Sequence, residues 1–352
     1  MKTLFYYLVA VLVRTTSWFM FSRVEVRGRD RVDWDAPCIL SPNHQNAFLD
    51  ALLVGMTAPV TLTFPSRASV FGTPFDWVLD ALHMIPIYRK RDGFDRLSDT
   101  RDILAEQRER LQEGTSLVLF SETEHAHTYY LRPLSRGSAR LALRTQAETD
   151  RPVQLVPVGI NYYHLCRPGF KVSIVFGEPL RADEYGGDDL ETEGACVNAL
   201  RDDLTAAMKD CLLVPEKTDD YHDRVDRINR KNEHRSFPDM KEALDTPEAL
   251  EPKGPRRPGL EALGRAVNLL NVGPLWLADA LMRWVDEPPF TASLKFAVGM
   301  FGLPLWWMSL FGLLAATVGW AVGAVVVAGA VVTMGLHIAL VRLSNPPHPA
   351  VD

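Results

Sequence analysis

Cysteine is scarce and scattered: Cys38, Cys166, Cys196 and Cys211 are the four in 352 residues, with no pair at the short spacing of a zinc or redox motif. That argues against a disulfide-dense secreted scaffold and leaves buried free thiols in a reducing compartment as the expectation. A basic excess is missing too. Lysine and arginine total 38 against 44 for aspartate and glutamate, a net charge of -6. No overall positive field therefore attracts nucleic acid, and any anion site has to be local. There is no Gly-x-Ser-x-Gly elbow and no cysteine beside a histidine in a nucleophile motif, so a covalent serine or cysteine nucleophile is not expected. The most telling absence is one of charge: from Phe296 to Val341 there is no Asp, Glu, Lys or Arg.

An uncharged apolar run of that length suits two membrane crossings of about 20 residues each and is too long for one. A turn within Gly312 to Gly323 would make a transmembrane hairpin whose flanking cations, Lys295 and Arg342, lie on one side with the main domain. Cationic flanks favour the cytoplasmic side. The alternative is a buried helical hairpin of a soluble protein. The first residues, Met1 to Phe21, are also apolar, but Arg14 interrupts them and no small-residue cleavage site follows. A retained helix at the membrane surface is the reading, with a buried amphipathic helix as the alternative.

Between these ends, short β-branched apolar runs alternate with helical-period segments, the pattern of an α/β domain with a mainly parallel sheet and flanking helices. The runs are Val24–Val26, Cys38–Leu40, Val60–Phe64, Met84–Tyr88, Ser116–Phe120, Val153–Ile160 and Lys171–Phe176; helices are expected over Ala47–Val54, Leu97–Leu111 and Ser138–Gln146. The chain divides into a membrane-associated helix (1–22), the α/β domain (23–214), a charged, breaker-rich polar arm or linker (215–258), an interfacial helical segment interrupted at Gly273-Pro274 (259–292), two transmembrane helices (293–342) and a tail (343–352).

Four strings fall at strand ends, where open α/β sheets present their ligands. The first, Ser41-Pro42-Asn43-His44-Gln45-Asn46-Ala47-Phe48-Leu49-Asp50, puts an imidazole and a carboxylate near a strand-to-helix turn. An imidazole there can take a proton from a hydroxyl near neutral pH, and a carboxylate can fix its tautomer. The second, Met84 to Arg91, ends in the basic cluster Arg89-Lys90-Arg91, able to hold a phosphate. The third runs Phe120-Ser121-Glu122-Thr123-Glu124-His125-Ala126-His127, and the fourth is Val156-Pro157-Val158-Gly159-Ile160.

In this order, the four strings resemble the blocks of the glycerophosphate and lysophosphatidate (PlsC-like, 1-acylglycerol-3-phosphate) acyltransferase family, over roughly Val24 to Pro179. The resemblance implies that His44 is the general base and Asp50 its orienting partner. It implies that Arg89 holds the acceptor phosphate, that Glu122 sits in the acceptor site, and that Pro157 and Gly159 line the acyl-donor side. It implies no bound cofactor and no metal, with acyl-CoA or acyl carrier protein as the donor substrate. The acceptor would be glycerophosphate-type, either 1-acylglycerol-3-phosphate or glycerol-3-phosphate, in phospholipid biosynthesis. The partners would be the lipid bilayer, an acceptor of this type and acyl carrier protein where that is the donor, with no nucleic acid. The location would be integral to a bacterial inner membrane or its equivalent, the catalytic domain cytoplasmic.

Two departures qualify the match. Five residues separate His44 from Asp50 where the family usually has four, so the pair can meet only if His44 lies in the loop and the helix begins near Asn46 as N-cap. The longer spacing points towards the glycerol-3-phosphate and dihydroxyacetone-phosphate branch. In the third block the family reads Phe-Pro-Glu-Gly-Thr-Arg; here Ser121 replaces Pro, Thr123 replaces Gly, and the Arg position falls on His125. The phosphate contact of His125 is then weakened or pH-dependent, with Arg132, Arg136 or Arg67 as substitutes. Backbone N–H groups at the strand-to-helix turn are expected to stabilise the oxyanion. Two other readings stand beside this one. An inactive lipid-binding membrane scaffold on the same fold follows from the altered third block. A metal-dependent phosphohydrolase could be assembled from Glu122, Glu124, His125 and His127 with His44 and His83.

Overall fold

The computed structural model describes residues 2–67, 71–72, 76–87, 97–186, 190–285 and 287–348. Its centre is an eight-stranded sheet: β1 (Phe21–Arg27), β2 (Cys38–Pro42), β3 (Leu62–Arg67), β4 (Met84–Ile87), β5 (Ser116–Val118), β6 (Gln154–Tyr162), β7 (Phe170–Phe176) and β8 (Leu180–Arg181). The spatial order is β1-β7-β6-β2-β5-β3-β4, with β8 beside β6. β6, β2, β5, β3 and β4 run parallel, whereas β7 and β8 pair antiparallel with β6, and β1 runs parallel to β7. The C-terminal ends of the five parallel strands thus emerge on one rim, where the four strings were expected to gather. The mainly parallel α/β class holds; the two-residue β8, too short for a pattern, was not anticipated.

Strand alternation sorts apolar residues between the two faces of the sheet. Ile39, Leu117, Val153 and Leu155 face one side; Cys38, Leu40, Val118, Val156 and Val158 face the other. The first face is covered by α5 (Gly137–Gln146) and α6 (Leu190–Asp210), with α4 (Leu97–Gln112) adding Leu111; Val197, Leu200, Leu204 and Met208 recur on α6 at the three- and four-residue steps of a buried helical stripe. The second face takes α1 (Lys2–Met20) and α2 (Phe48–Thr57), with α3 (Asp76–Ala81) at the β4 edge.

Residues 215–258, expected as a polar arm or linker, contribute to that second core instead. They fold into α7 (Tyr221–Arg227) and α8 (Phe237–Ala243) with short turns. Tyr221, Val225, Ile228, Phe237, Met240, Leu244 and Leu250 are buried in the same cluster as Leu40 and Val156. Their three- and four-residue spacing makes narrow apolar stripes, which the surrounding charge concealed in a composition-based reading.

Beyond them lie α9 (Pro258–Val267), α10 (Val272–Met282) and α11 (Phe290–Ala297), the last continuing through a π-helical turn into α12 (Leu303–Thr317), followed by α13 (Trp320–Leu343). Residues 290–317 and 320–343 are two helices long and apolar enough to cross a membrane. They meet at Val318-Gly319, inside the expected turn. The segment before them ties onto the hairpin through buried Asn271, whose side chain donates to Ala330 O at 2.7 Å and accepts from Trp307 Nε1 at 2.8 Å. Both hairpin ends meet the α/β domain: Lys295 Nζ donates to Cys166 O at 3.0 Å, and Arg342 pairs with Glu233.

A buried ion pair locks the β1–β7 edge. Lys171 Nζ, fully buried, lies 2.7 Å from the Glu25 carboxylate and donates to Arg235 O at 2.6 Å, while Glu25 also accepts from Ser173 Oγ and Phe237 N. Removing one partner of such a pair strands a buried charge. Lys171→Met is expected to lower unfolding stability by about 3–5 kcal/mol, and adding Glu25→Gln to recover most of it. Thermal unfolding in detergent checks this; equal losses in the single and double variants would count against it.

Candidate active site

The string after β2 folds as a tight loop around one carboxylate. Asp50, fully buried in the first turn of α2, accepts from Gln45 N and Asn46 N at 2.7 Å each and from Tyr162 Oη at 2.7 Å, and its Oδ2 lies 2.9 Å from Nδ1 of His44. Burial, followed by the charge of Asp50, raises the Tyr162 hydroxyl well above its ordinary range, so it remains a donor. With Nδ1 carrying the proton towards Asp50, Nε2 of His44 holds a free lone pair. Among the described residues no hydrogen bond engages that Nε2. The ring is stacked on Phe120 at 3.8 Å between centroids, and the His125 ring meets it edge-on at 5.4 Å.

The loop is anchored on three sides. Asn43 clasps β6, donating to Ile160 O at 3.1 Å and accepting Ile160 N at 2.7 Å. Gln45 Nε2 donates to Thr128 O at 2.5 Å, and Asn46 Oδ1 accepts from His127 Nε2 at 3.1 Å. The N-cap of α2 is Ala47, not Asn46, with a positive φ of 47° and no capping side chain of its own. Asn46 is already spent on His127, and of the turn's backbone N–H groups, expected to stabilise an oxyanion, those of Gln45 and Asn46 donate to Asp50.

Glu122 joins two loops. One oxygen accepts His44 N at 2.7 Å and the other Arg132 N at 2.8 Å, with the Arg132 guanidinium 3.8 Å away. Burial, outweighing these donors, pushes its carboxyl above the ordinary range. Its place is beneath the His44 loop, holding backbone, rather than open towards an acceptor. Arg132 Nε and Nη2 are buried and have no hydrogen-bond partner among the described residues. His125 Nε2 lies 2.6 Å from Glu287, and its ring meets Phe290 edge-on at 5.0 Å. Thr123 sits at φ 65°, in the left-handed region where the family's glycine would be at ease.

Pro157 and Gly159 do not line an open face. Both are buried within β6, and a Cβ on Gly159 would stand 1.9 Å from Cys211 O, so close packing of chain on strand requires glycine there. Arg89, with Lys90 and Arg91, lies outside the described residues; Arg67 closes β3 at the rim. The carboxylates and imidazoles of the third block do not converge. Glu122 is held by backbone, His125 faces Glu287 and His127 faces Asn46, and among the described residues no group of three or more His, Cys, Asp or Glu side chains is placed to hold a metal ion.

The sequence patterns did not single out Tyr162 or the partners that later chain brings to the site, Glu287, Phe290 and Ser293. Nothing local in the sequence marks these four.

Three comparisons bear on the site. The family model described as Acyltransferase matches residues 23–161, which contain His44, Asp50 and Glu122 and stop one residue before Tyr162. A curated protein of the yeast Schizosaccharomyces pombe, named an uncharacterized acyltransferase, is 35% identical over 83 residues, 23% of this chain, and the chain spans 12% of that relative's length. The crystal structure of the 1-acyl-sn-glycerophosphate acyltransferase PlsC from Thermotoga maritima aligns with a TM-score of 0.41 at 19% identity, over 57% of this chain and 78% of that one.

A β-branched residue in the left-handed region costs of the order of 1–2 kcal/mol. Thr123→Gly is therefore expected to raise stability by about 1 kcal/mol, seen as a higher unfolding midpoint in detergent; a lower midpoint would show that the Thr123 side chain outweighs the strain. Three imidazoles near this core, His127 and His164 buried and His348 half-buried, are shifted towards the neutral form by desolvation: His127 is lowered to about 4, His348 to about 3, and His164 well below its usual value. Below about pH 6.5 the unfolded chain binds protons that the folded one refuses, so stability falls as pH falls, by up to about 1.4 kcal/mol per pH unit for each group. Unfolding midpoints from pH 7.5 towards 4.5 should fall and His348→Phe should flatten the slope; an equal slope in that variant would remove His348 from the account.

Proposed function

We propose, from the membership of residues 23–161 in the acyltransferase family, that this chain moves a fatty acyl group from a thioester donor to a hydroxyl of a glycerophosphate-type acceptor at a membrane surface. The observation that carries the reading is the intact pair: His44 Nδ1 at 2.9 Å from a fully buried Asp50, with Nε2 left unengaged among the described residues. An inactive scaffold has no need of a carboxylate so fully supplied with donors.

His44 Nε2 takes the proton of the acceptor hydroxyl as its oxygen bonds to the thioester carbonyl carbon. The imidazolium formed is steadied by Asp50, which Tyr162 and two backbone N–H groups hold in place. When the C–S bond breaks, the same proton passes from Nε2 to the departing thiolate, and His44 returns to its starting state. No covalent enzyme intermediate is required. Acyl-CoA and acyl carrier protein both supply such a thioester.

For the acceptor phosphate, Arg132 is the best-placed described cation: its Nε and Nη2 lack hydrogen-bond partners, and it is tied to the His44 loop through Glu122. A planar guanidinium suits phosphate oxygens. The two apolar helices at 290–317 and 320–343 would cross the bilayer. Lys295 and Arg342 at their domain-facing ends favour a cytoplasmic catalytic domain. Exposed Trp18 and Phe19 on α1, Trp77 on α3, and Trp276 and Trp284 at α10 would rest in the interface, bringing the site level with its lipid substrates.

Membranes carrying the chain, given labelled acyl-CoA or acyl-loaded acyl carrier protein with either glycerol-3-phosphate or 1-acylglycerol-3-phosphate, should yield the acylated product of at least one acceptor. His44→Ala should lower turnover by about 10²–10⁴-fold, the worth of a general base, while Arg132→Gln mainly raises the acceptor KM. No transfer to either acceptor from either donor, or near-normal turnover in His44→Ala, would overturn the proposal.

A further inference from the structure

Helix α2 carries Asp50 in its first turn, yet it starts without a usable cap of its own. Ala47 has no side-chain oxygen, and its backbone sits at φ 47°, a strained setting for an alanine. The missing group arrives from far along the chain. Ser293 Oγ accepts Leu49 N–H at 3.0 Å and donates to Asn46 O at 2.6 Å. A serine inside a helix commonly turns back to a carbonyl of its own preceding turn. Ser293 bridges two elements instead, closing a clamp across Ala47 from Asn46 to Leu49.

The clamp adjoins the pair that carries the chemistry. Asn46, whose carbonyl Ser293 binds, gives its N–H to Asp50 Oδ2, the oxygen facing His44 Nδ1, and Leu49 is the residue before Asp50. The helix presenting Ser293 is itself fixed: Ala292 and Phe296 are buried in the core with Leu49 and Leu53, Lys295 holds Cys166 O, and Phe290 lies against Phe48 and His125. Ser293 thus stands on a rigid support rather than a loose tail.

We propose that Ser293, on the helix that opens the first apolar span, is a positioning residue for the His44–Asp50 pair, making docking of that helix a condition for turnover. The proposal rests on the reading of His44 as general base. Leu49 N–H also donates directly to Asn46 O at 3.0 Å, so loss of the hydroxyl takes away the second partner of each group and loosens the loop from His44 to Ala47. Among the described residues the Ser293 hydroxyl bonds only to backbone of that loop, so substrate binding should change little.

The full chain in detergent or nanodiscs, as wild type, Ser293→Ala and Ser293→Thr, is assayed for kcat and KM and for hydrogen exchange of the peptide covering residues 45–53. Ser293→Ala should lower kcat by about tenfold or more, as misplacement of a catalytic group does, with little change in either KM, and should speed exchange in that peptide. Ser293→Thr, which keeps the hydroxyl, should restore most of both. A Ser293→Ala enzyme with normal kcat, or a loss that Thr fails to rescue, overturns the positioning role whatever the exchange shows. A wild type inactive with both donors and both acceptors overturns the acyl-transfer reading itself, and faster exchange in Ser293→Ala would then reveal a cap without a catalytic part.

Discussion

The buried carboxylate of Asp50 is the constraint around which the rest of the site is arranged. An ionised group out of water needs close to a full set of donors. Here it has His44 Nδ1, two backbone N–H groups and a tyrosine hydroxyl. Asp50 occupies the third helical position of α2 and reaches back over the turn, as the acid of a capping box does, but to Gln45 and Asn46 instead of the N-cap residue. That reach explains how five intervening residues are accommodated. The extra residue is absorbed at Ala47, whose positive φ folds the loop under His44, and the imidazole arrives from outside the helix rather than along its face.

Because the loop is irregular, it has to be held from elsewhere, and each hold comes from a different part of the chain. Asn43 fastens it to β6, Glu122 to the loop leading to Arg132, Gln45 and Asn46 to residues 127–128, and Ser293 to α11. The joints between the α/β domain and the apolar hairpin are equally polar: Lys295 to Cys166, Arg342 to Glu233, and Glu233 onward to Ser22 and the backbone of Lys171. Charged and hydrogen-bonded joints specify geometry more than they add stability. They suit a boundary between a packed α/β core and two helices long and apolar enough to cross a membrane.

The features legible in the sequence were those written at short range. Strands declared themselves by β-branched runs, and His44 and Asp50 by type, spacing and position after β2. The uncharged run from Phe296 to Val341 announced its two helices. What escaped was long-range or concealed by composition. The apolar stripes of Tyr221, Val225 and Ile228 were hidden among charges, and the burial of Pro157 and Gly159 depends on Cys211 lying across them. Asn46 looked like a cap because its type is right; His127 claims its side chain, and Ser293 takes the capping role at a separation no local pattern reveals.

The third block shows how a departure in sequence is met by structure. Where the family has glycine, Thr123 accepts a left-handed backbone; where it has arginine, His125 stands with Glu287 beside it. Arginine keeps its charge under all ordinary conditions, whereas histidine carries one only when protonated. With a carboxylate from the segment ahead of α11 already on His125, an acceptor phosphate arriving there would have to compete with Glu287. Arg132 also faces a carboxylate, Glu122, but at 3.8 Å and without a hydrogen bond to its Nε or Nη2 among the described residues. The same stretch of chain that supplies Ser293 also supplies Glu287. The accessory segments in this protein are therefore part of the site's construction: Ser293 closes the His44 loop on one side and Glu287 meets His125 on the other.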